Sequence, residues 1–241
     1  MLSLLQRERL FVIPASLLIL MILCGAIVTF HAPVPDFKNF ESVSEKKAAF
    51  FAYLGPFIDA SNERIGNDRA ALLEIQGKDS LGVFDLITLR RLRLAYSSSG
   101  SNSRESTTLI EHIDIVPSAL ALIQAAKESG WGTSRFARQG YNFFGQQCFS
   151  PGCGFTPRNR APERFHSVQK FQSPEHAVRA YMHNLNTHPR YQAFRDLRAG
   201  LRAQDEPLTG VLLASGLESY SERGPAYVSE IQAMIKASQL E

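Results

Sequence analysis

Residues 116–132, VPSALALIQAAKESGWG, read as one helix and its stop. Pro117 suits the start of a helix, where the N–H that proline lacks would go unused anyway. The run from Ala119 through Ala126 is apolar apart from Gln124. Gly130 is a stop of the kind that ends helices in the left-handed conformation. Glu128 therefore falls in the last turn, with Trp131 just beyond it. A carboxyl at a helix end beside an indole is partly desolvated, and desolvation raises its pKa because the charged form loses hydration. An acid kept protonated near neutral pH is ready to protonate a leaving oxygen. The same local pattern also fits a solvated glutamate that caps a turn.

Downstream lies a glycine-, asparagine- and aromatic-rich loop, WGTSRFARQGYNFFGQQ, over residues 131–147. From Cys148 to Phe171, turn residues and a short alternating run, Arg164-Phe165-His166-Ser167-Val168, predict a small β-hairpin. Ser173-Pro174-Glu175 supplies an N-cap, a first-turn proline and a first-turn acid for a helix that runs to about Asn186. Further helices fit Tyr191 to Arg202, Thr209 to Ser215 and Ala226 to Ser238. Upstream, Phe50, Tyr53, Leu54, Phe57 and Ile58 recur at helical spacing within residues 42–76, and Gly55-Pro56 is expected to break or kink that stretch. A second upstream helix fits Phe84 to Tyr96, and SSSGSNS (97–103) reads as a flexible linker. The fold class is mostly α (α+β): a helical domain with one small sheet.

The 241 residues are 44 % hydrophobic and 20 % charged, the balance of a folded globular chain. Net charge is +3, and the densest basic cluster, Arg90, Arg91 and Arg93, lies within an apolar helical pattern. That excludes an extended nucleic-acid surface, which needs interleaved aromatic and basic residues. No P-loop, dinucleotide fingerprint or Ser–His–Asp signature is present, so no cofactor is expected.

Leu10 to Phe30 is uncharged, and as a helix it spans about 30 Å, the thickness of a bilayer core. A cleaved signal peptide is the alternative, but Phe30-His31-Ala32-Pro33 is a poor cleavage site and Leu23 before Cys24 is a poor lipoprotein site. An uncleaved signal anchor is the preferred reading. Arg7 and Arg9 precede the segment and the first basic residue after it is Lys38, so the N-terminus is expected in the cytoplasm. His31 to Phe40, with Pro33 and Pro35, reads as a short extended linker.

Four ordered segments carry a resemblance. They are PSALALIQAAKESGWGTSRFA (117–137), YNFFGQQCFSPGCG (141–154), YMHNLNTHPRYQAFRDLRA (181–199) and YSERGPAYVSEIQAMI (220–235). Together they resemble the Bax-like branch of the glucosaminidase family of peptidoglycan hydrolases, glycoside hydrolase family 73. The resemblance covers roughly Glu105 to the C-terminus, and residues 36–104 share a weaker likeness. It implies a lysozyme-like catalytic domain over 105–241, after a transmembrane anchor over 1–31 and a helical linker or regulatory region over 32–104. It implies cleavage after N-acetylglucosamine in the β-1,4-linked glycan of peptidoglycan, with Glu128 as general acid. Tyr220 matches the tyrosine near the cleaved bond and Tyr227 the later one, although this chain has one extra residue between them. Asn142, Phe144 and Gly145 match the loop that lines the groove. The expected location is the inner membrane of a double-membraned bacterium, single-pass, with the catalytic domain in the periplasm.

Other residues keep two readings each. Glycosidases usually use a second carboxylate. Glu163, in the hairpin region, is the first candidate and Glu222 an imperfect one; both also read as surface charges, and the substrate's own N-acetyl group could serve instead. Cys148 and Cys153 suit a local disulfide in an oxidising compartment better than zinc, for which His166 alone is too few ligands. No metal is expected, and Cys24 reads as a packing residue. His183 and His188, beside Asn184 and Asn186, read as polar contacts. Trp131, Tyr141, Phe143, Phe144 and Tyr191 are either sugar-stacking or core. Residues 36–104 are expected to regulate access or to bind a protein partner. The rival activities are a lytic transglycosylase and a non-catalytic wall-binding module.

Overall fold

A computed structural model describes residues 33–96, 106–157 and 166–240. The apolar segment Leu10–Phe30, the linker at 97–103 and Glu163 lie outside the described residues. Residues 33–241 form one compact unit. No helix among the described residues is long and apolar enough to cross a membrane.

The first helix, α1 (Val43–Gln76), starts at a capping box, in which Ser42 and Glu45 bond each other's backbone N–H. It continues for 34 residues through Pro56, so the break expected at Gly55-Pro56 does not occur. Proline inside a helix costs about 3 kcal/mol. Phe50 and Leu54 before Pro56, and Ile58, Ile65 and Leu72 after it, are buried in one core, and that packing offsets the cost. Then follow α2 (Val83–Tyr96), α3 (Ser106–His112), α4 (Ser118–Ser129) and the short α5 (Arg135–Gly140). The carboxyl-terminal part comprises α6 (Pro174–Thr187), α7 (Gln192–Ala203), α8 (Gly210–Ala214) and α9 (Pro225–Ser238). One 3-10 turn, Pro189–Tyr191, leads into α7 and another, Ser215–Tyr220, follows α8.

Helix α4 is the axis of the fold. Ala119 through Ala126 and Ser129 are all buried, and the helix packs against α1, α8 and α9. Small residues at five of these positions let the neighbouring helices approach closely. The segment read as a separate regulatory region thus supplies α1, whose apolar stripe shares the core of α4 and α6.

In place of a simple hairpin there is a three-stranded antiparallel sheet in the order β1 (Gln147–Cys148), β3 (Ser167–Gln169), β2 (Gly154–Phe155). The late strand enters between the two early ones, pairing Val168 with both Gln147 and Phe155. Alternation within one short segment could not reveal a partner from outside it. Cys148 and Cys153, on the loop joining the outer strands, form a disulfide.

A buried ionic hub fixes the entry to α4. Asp114 is 2 % exposed and accepts two hydrogen bonds from Arg202, at 3.1 and 2.9 Å, and one from the Ile115 N–H. Burial alone would push its carboxyl up, but the Arg202 hydrogen bonds and the Arg198 and Arg69 charges override this and hold it below the usual range. Arg198 is equally buried and donates to the carbonyls of Glu111, Asp114 and Ile115 and to Asn186 Oδ1. Burial lowers its pKa to about 9. Each charge here has its partners, as a buried charge requires.

Candidate active site

Three successive residues after α4 are left-handed: Gly130 (φ 58°), Trp131 (φ 59°) and Gly132 (φ 75°). This tight turn halts the helix just beyond Glu128. It costs little at the glycines, and the strain at Trp131 is offset by packing. The indole lies against Phe50 and Phe51 of α1, at 5.8 and 5.4 Å between ring centroids, with the Lys47 ammonium 5.0 Å above it. Gly132 is held against Phe37, whose ring a Cβ would strike. Trp131 was read as a neighbour that desolvates Glu128 and as either sugar-stacking or core; its ring contacts are with α1, and it is half-buried.

Glu128 is solvent-exposed, and its carboxyl is partly desolvated. Burial raises its pKa, against the lowering effects of the Tyr227 hydrogen bond and the Lys127 charge. Its Oε1 accepts a hydrogen bond from the Tyr227 hydroxyl at 3.0 Å. A Cβ on Gly145, which has φ +66°, would stand 3.6 Å from Oε2. The 142–145 loop therefore lies beside the second oxygen of Glu128, and a side chain at Gly145 would touch that oxygen and be strained by the left-handed backbone.

A hydrogen-bond chain runs back from Glu128 into the core. Tyr181 donates to Gln124 Oε1 at 2.6 Å, and Gln124 Nε2 donates to the Tyr227 oxygen at 3.0 Å. Gln124 and Glu128 lie one turn apart on the same face of α4. With its oxygen occupied by an incoming N–H, Tyr227 directs its own proton to Glu128. Gln124 and Tyr181 were missed in the sequence. The signal was there: one fully polar residue in an apolar helix, four positions before the acid.

Aromatic rings floor the site. Tyr220 stacks on Tyr227 at 5.6 Å and 13°, and its hydroxyl donates to the Phe144 carbonyl at 3.0 Å. Phe144 is itself stacked on Tyr181 at 3.9 Å and 9°. Its ring is buried. Tyr191 packs beside Tyr220, and Phe143 lies in the core. Burial pushes the Tyr227 and Tyr220 hydroxyls well above their usual range, so both are neutral donors.

Asn142 was expected to touch substrate. It is buried, and its amide donates to the carbonyls of Gln146 and Gln169 and accepts from the Gln146 N–H, all within 2.8–3.0 Å. Its work is to hold the loop against β3. Glu222 is exposed. His183 bonds Thr187 within its own helix, and the His188 ring accepts from the Arg190 N–H. Among the described residues there is no cluster of three His, Cys, Asp or Glu that could hold a metal ion. The structure thus brings together Glu128, Tyr227, Tyr220, Phe144 and Gly145, and leaves Trp131 and Asn142 as supports.

The family described as glucosaminidase (mannosyl-glycoprotein endo-beta-N-acetylglucosaminidase) matches residues 106–240. Protein bax of Escherichia coli (strain K12) is 34 % identical over 209 residues, covering 86 % of this chain and 74 % of that protein. No solved structure matches. The family match spans more than half of the chain and takes in every residue of the site, and the bax likeness extends through most of the remainder: the chain belongs to the glucosaminidase family, as a Bax-like protein.

Proposed function

We propose that this protein is a peptidoglycan hydrolase, an endo-β-N-acetylglucosaminidase of lysozyme-like plan with Glu128 as general acid. The observation that carries the reading is the asymmetry of the Glu128 carboxyl. Oε1 is held by Tyr227, whose proton is directed there by Gln124 and Tyr181. The acidic proton therefore resides on Oε2, beside the exposed Gly145. A glycosidic oxygen approaching over that glycine takes the proton as its bond to the sugar breaks and an oxocarbenium-like centre develops. Tyr220, half-buried and fixed through Phe144, positions the sugar near that centre. Loss of the proton leaves a carboxylate that the Tyr227 hydrogen bond stabilises. The second group needed at the sugar carbon is Glu163, Glu222 or the substrate's own N-acetyl oxygen.

The test is digestion of purified peptidoglycan by the protein and by Glu128→Gln, with mass spectrometry of the products. The expected result is reducing-end N-acetylglucosamine from the first and none from the second. Anhydro-muramic ends would replace this reading with a transglycosylase, and unchanged cleavage by Glu128→Gln would remove the acid role. Glu163→Gln and Glu222→Gln decide the second group: cleavage lost in one of them assigns it to that residue, and cleavage retained in both assigns it to the substrate. We propose further that Leu10–Phe30 tethers the domain to the inner membrane with the enzyme in the periplasm. Twenty-one uncharged residues behind Arg7 and Arg9 support this. Release by alkaline carbonate would refute it.

A further inference from the structure

Large apolar side chains are exposed in one place above all others, the outer face of α2 and the turn before it. Leu81, Val83, Phe84, Leu86, Ile87 and Leu94 are 40–84 % exposed, with Phe84 the most open of all. At 100° per residue, Val83, Ile87, Arg90 and Leu94 fall along one line of the helix. Phe84 and Arg91 flank that line on one side, and Leu86 and Arg93 on the other. The opposite line, Leu92 and Tyr96, is buried in the core. Folding thus accounts for the inner face and leaves the outer one, which is apolar and basic together. The three arginines are exposed. Arg91 bonds Asp68 and keeps 55 % of its side chain in solvent.

A helix that presents apolar side chains at its centre and arginines around them has the makings of an interfacial helix. Its apolar groups enter the acyl boundary, and its arginines reach outward to lipid phosphates. We infer that the outer face of α2 docks on an anionic bilayer surface. Charge decides between the possible occupants. A second copy of this face would set Arg90, Arg91 and Arg93 against their equivalents, a like-charge contact that disfavours self-association. The chain's own residues outside the described parts offer only scattered acids to meet the arginines: Glu8, Glu105, Glu163 and Glu241, in four separate segments. An anionic headgroup layer supplies both the negative charge and the apolar depth. Docking holds the enzyme flat against the membrane, which adds to the tether proposed above and limits how far into the wall it reaches.

The test uses the full chain carrying Phe84→Trp in vesicles of brominated phosphatidylcholine, with or without phosphatidylglycerol. Fluorescence is compared with that of the unsubstituted chain, which reports Trp131 alone. Phe84 is a surface residue, and an unchanged melting temperature checks the fold. The expected result is strong quenching of the added tryptophan when phosphatidylglycerol is present. Arg90→Gln with Arg93→Gln should weaken that contact roughly thirty-fold, since each basic residue near an anionic surface contributes about fivefold. An added tryptophan that stays unquenched in anionic vesicles overturns the inference. In that case, dimer dissociation caused by Phe84→Ser would give the face to a second copy, and shielding of the tryptophan only by an added protein would give it to a protein partner. The readout involves no cleavage, so failure of the hydrolase reading leaves it intact. If carbonate strips the chain from vesicles while quenching persists at low salt, the tether falls and the docking face stands.

Discussion

Replacing Tyr227 by phenylalanine should move the pH profile in a direction that only the proposed acid role dictates. The substitution removes the one hydroxyl that donates to Glu128 and leaves the ring stack on Tyr220 in place. A hydrogen bond to a charged group contributes about 1.5–3 kcal/mol. At about 1.4 kcal/mol per pKa unit, a fully enclosed carboxylate would shift by about one to two units. Glu128 is solvent-exposed, and water replaces part of what is lost, so the expected shift is about half to one unit. Its direction is upward, because the donor stabilised the charged form and its loss adds to the rise that burial already causes. A general acid works only when protonated, so kcat/KM falls as pH rises through its pKa. The descending limb should therefore move to higher pH in Tyr227→Phe. The assay is kcat/KM on soluble glycan fragments from pH 4 to 9. Gln124→Leu removes the N–H that directs the Tyr227 proton, so it should move the limb the same way by a smaller amount while lowering stability. A limb in Tyr227→Phe that stays put or moves down would refute the assignment of Glu128 as the acid or of Tyr227 as its donor.

Glu128→Gln should raise the melting temperature at pH 7 and not at pH 4. The folded-state pKa of Glu128 is raised, so its contribution to stability is full below the unfolded pKa and is lost as pH rises through the folded one. Calorimetry at the two pH values checks this. Asn142→Ala should cost about 1–3 kcal/mol and reduce cleavage, because buried partners of the amide are left unsatisfied and the loop over Glu128 loosens; denaturant melts read the first effect and initial rates the second. Asp114→Asn should cost about 3–5 kcal/mol by stranding buried Arg198, measured by urea unfolding at neutral pH. The loss should shrink as pH falls below about 4, since the depressed folded pKa makes the native protein forfeit this same stability on protonation. Gly132→Ala should destabilise or abolish folding, because the added methyl meets the Phe37 ring at a left-handed position; soluble yield and melting temperature report it.

The helices and the acid were legible because they depend on local order. Apolar spacing, the cap at Ser173 and the stop at Gly130 act within a turn or two of chain, so α1, α4, α6 and α9 could be placed from their own residues. Glu128 could be singled out because helix end and acid are adjacent in sequence. What surrounds the acid was not legible. Trp131 is its neighbour in sequence but packs against α1, while Tyr227 is 99 residues away and bonds it directly. The continuity of α1 through Pro56 was misread for the same reason: the local cost of proline is visible in a sequence, and the tertiary packing that outweighs it is not. β3 inserts between β1 and β2, and Asn142 turns inward to hold the loop, because backbone groups distant in sequence required partners. The sequence by itself determined the helices, their ends and the position of the acid, since nearest-neighbour sterics and apolar periodicity set these. Only the tertiary structure decided which side chains bond the acid and which merely pack, since burial and hydrogen-bond satisfaction are settled when α4 is enclosed by α1, α8 and α9.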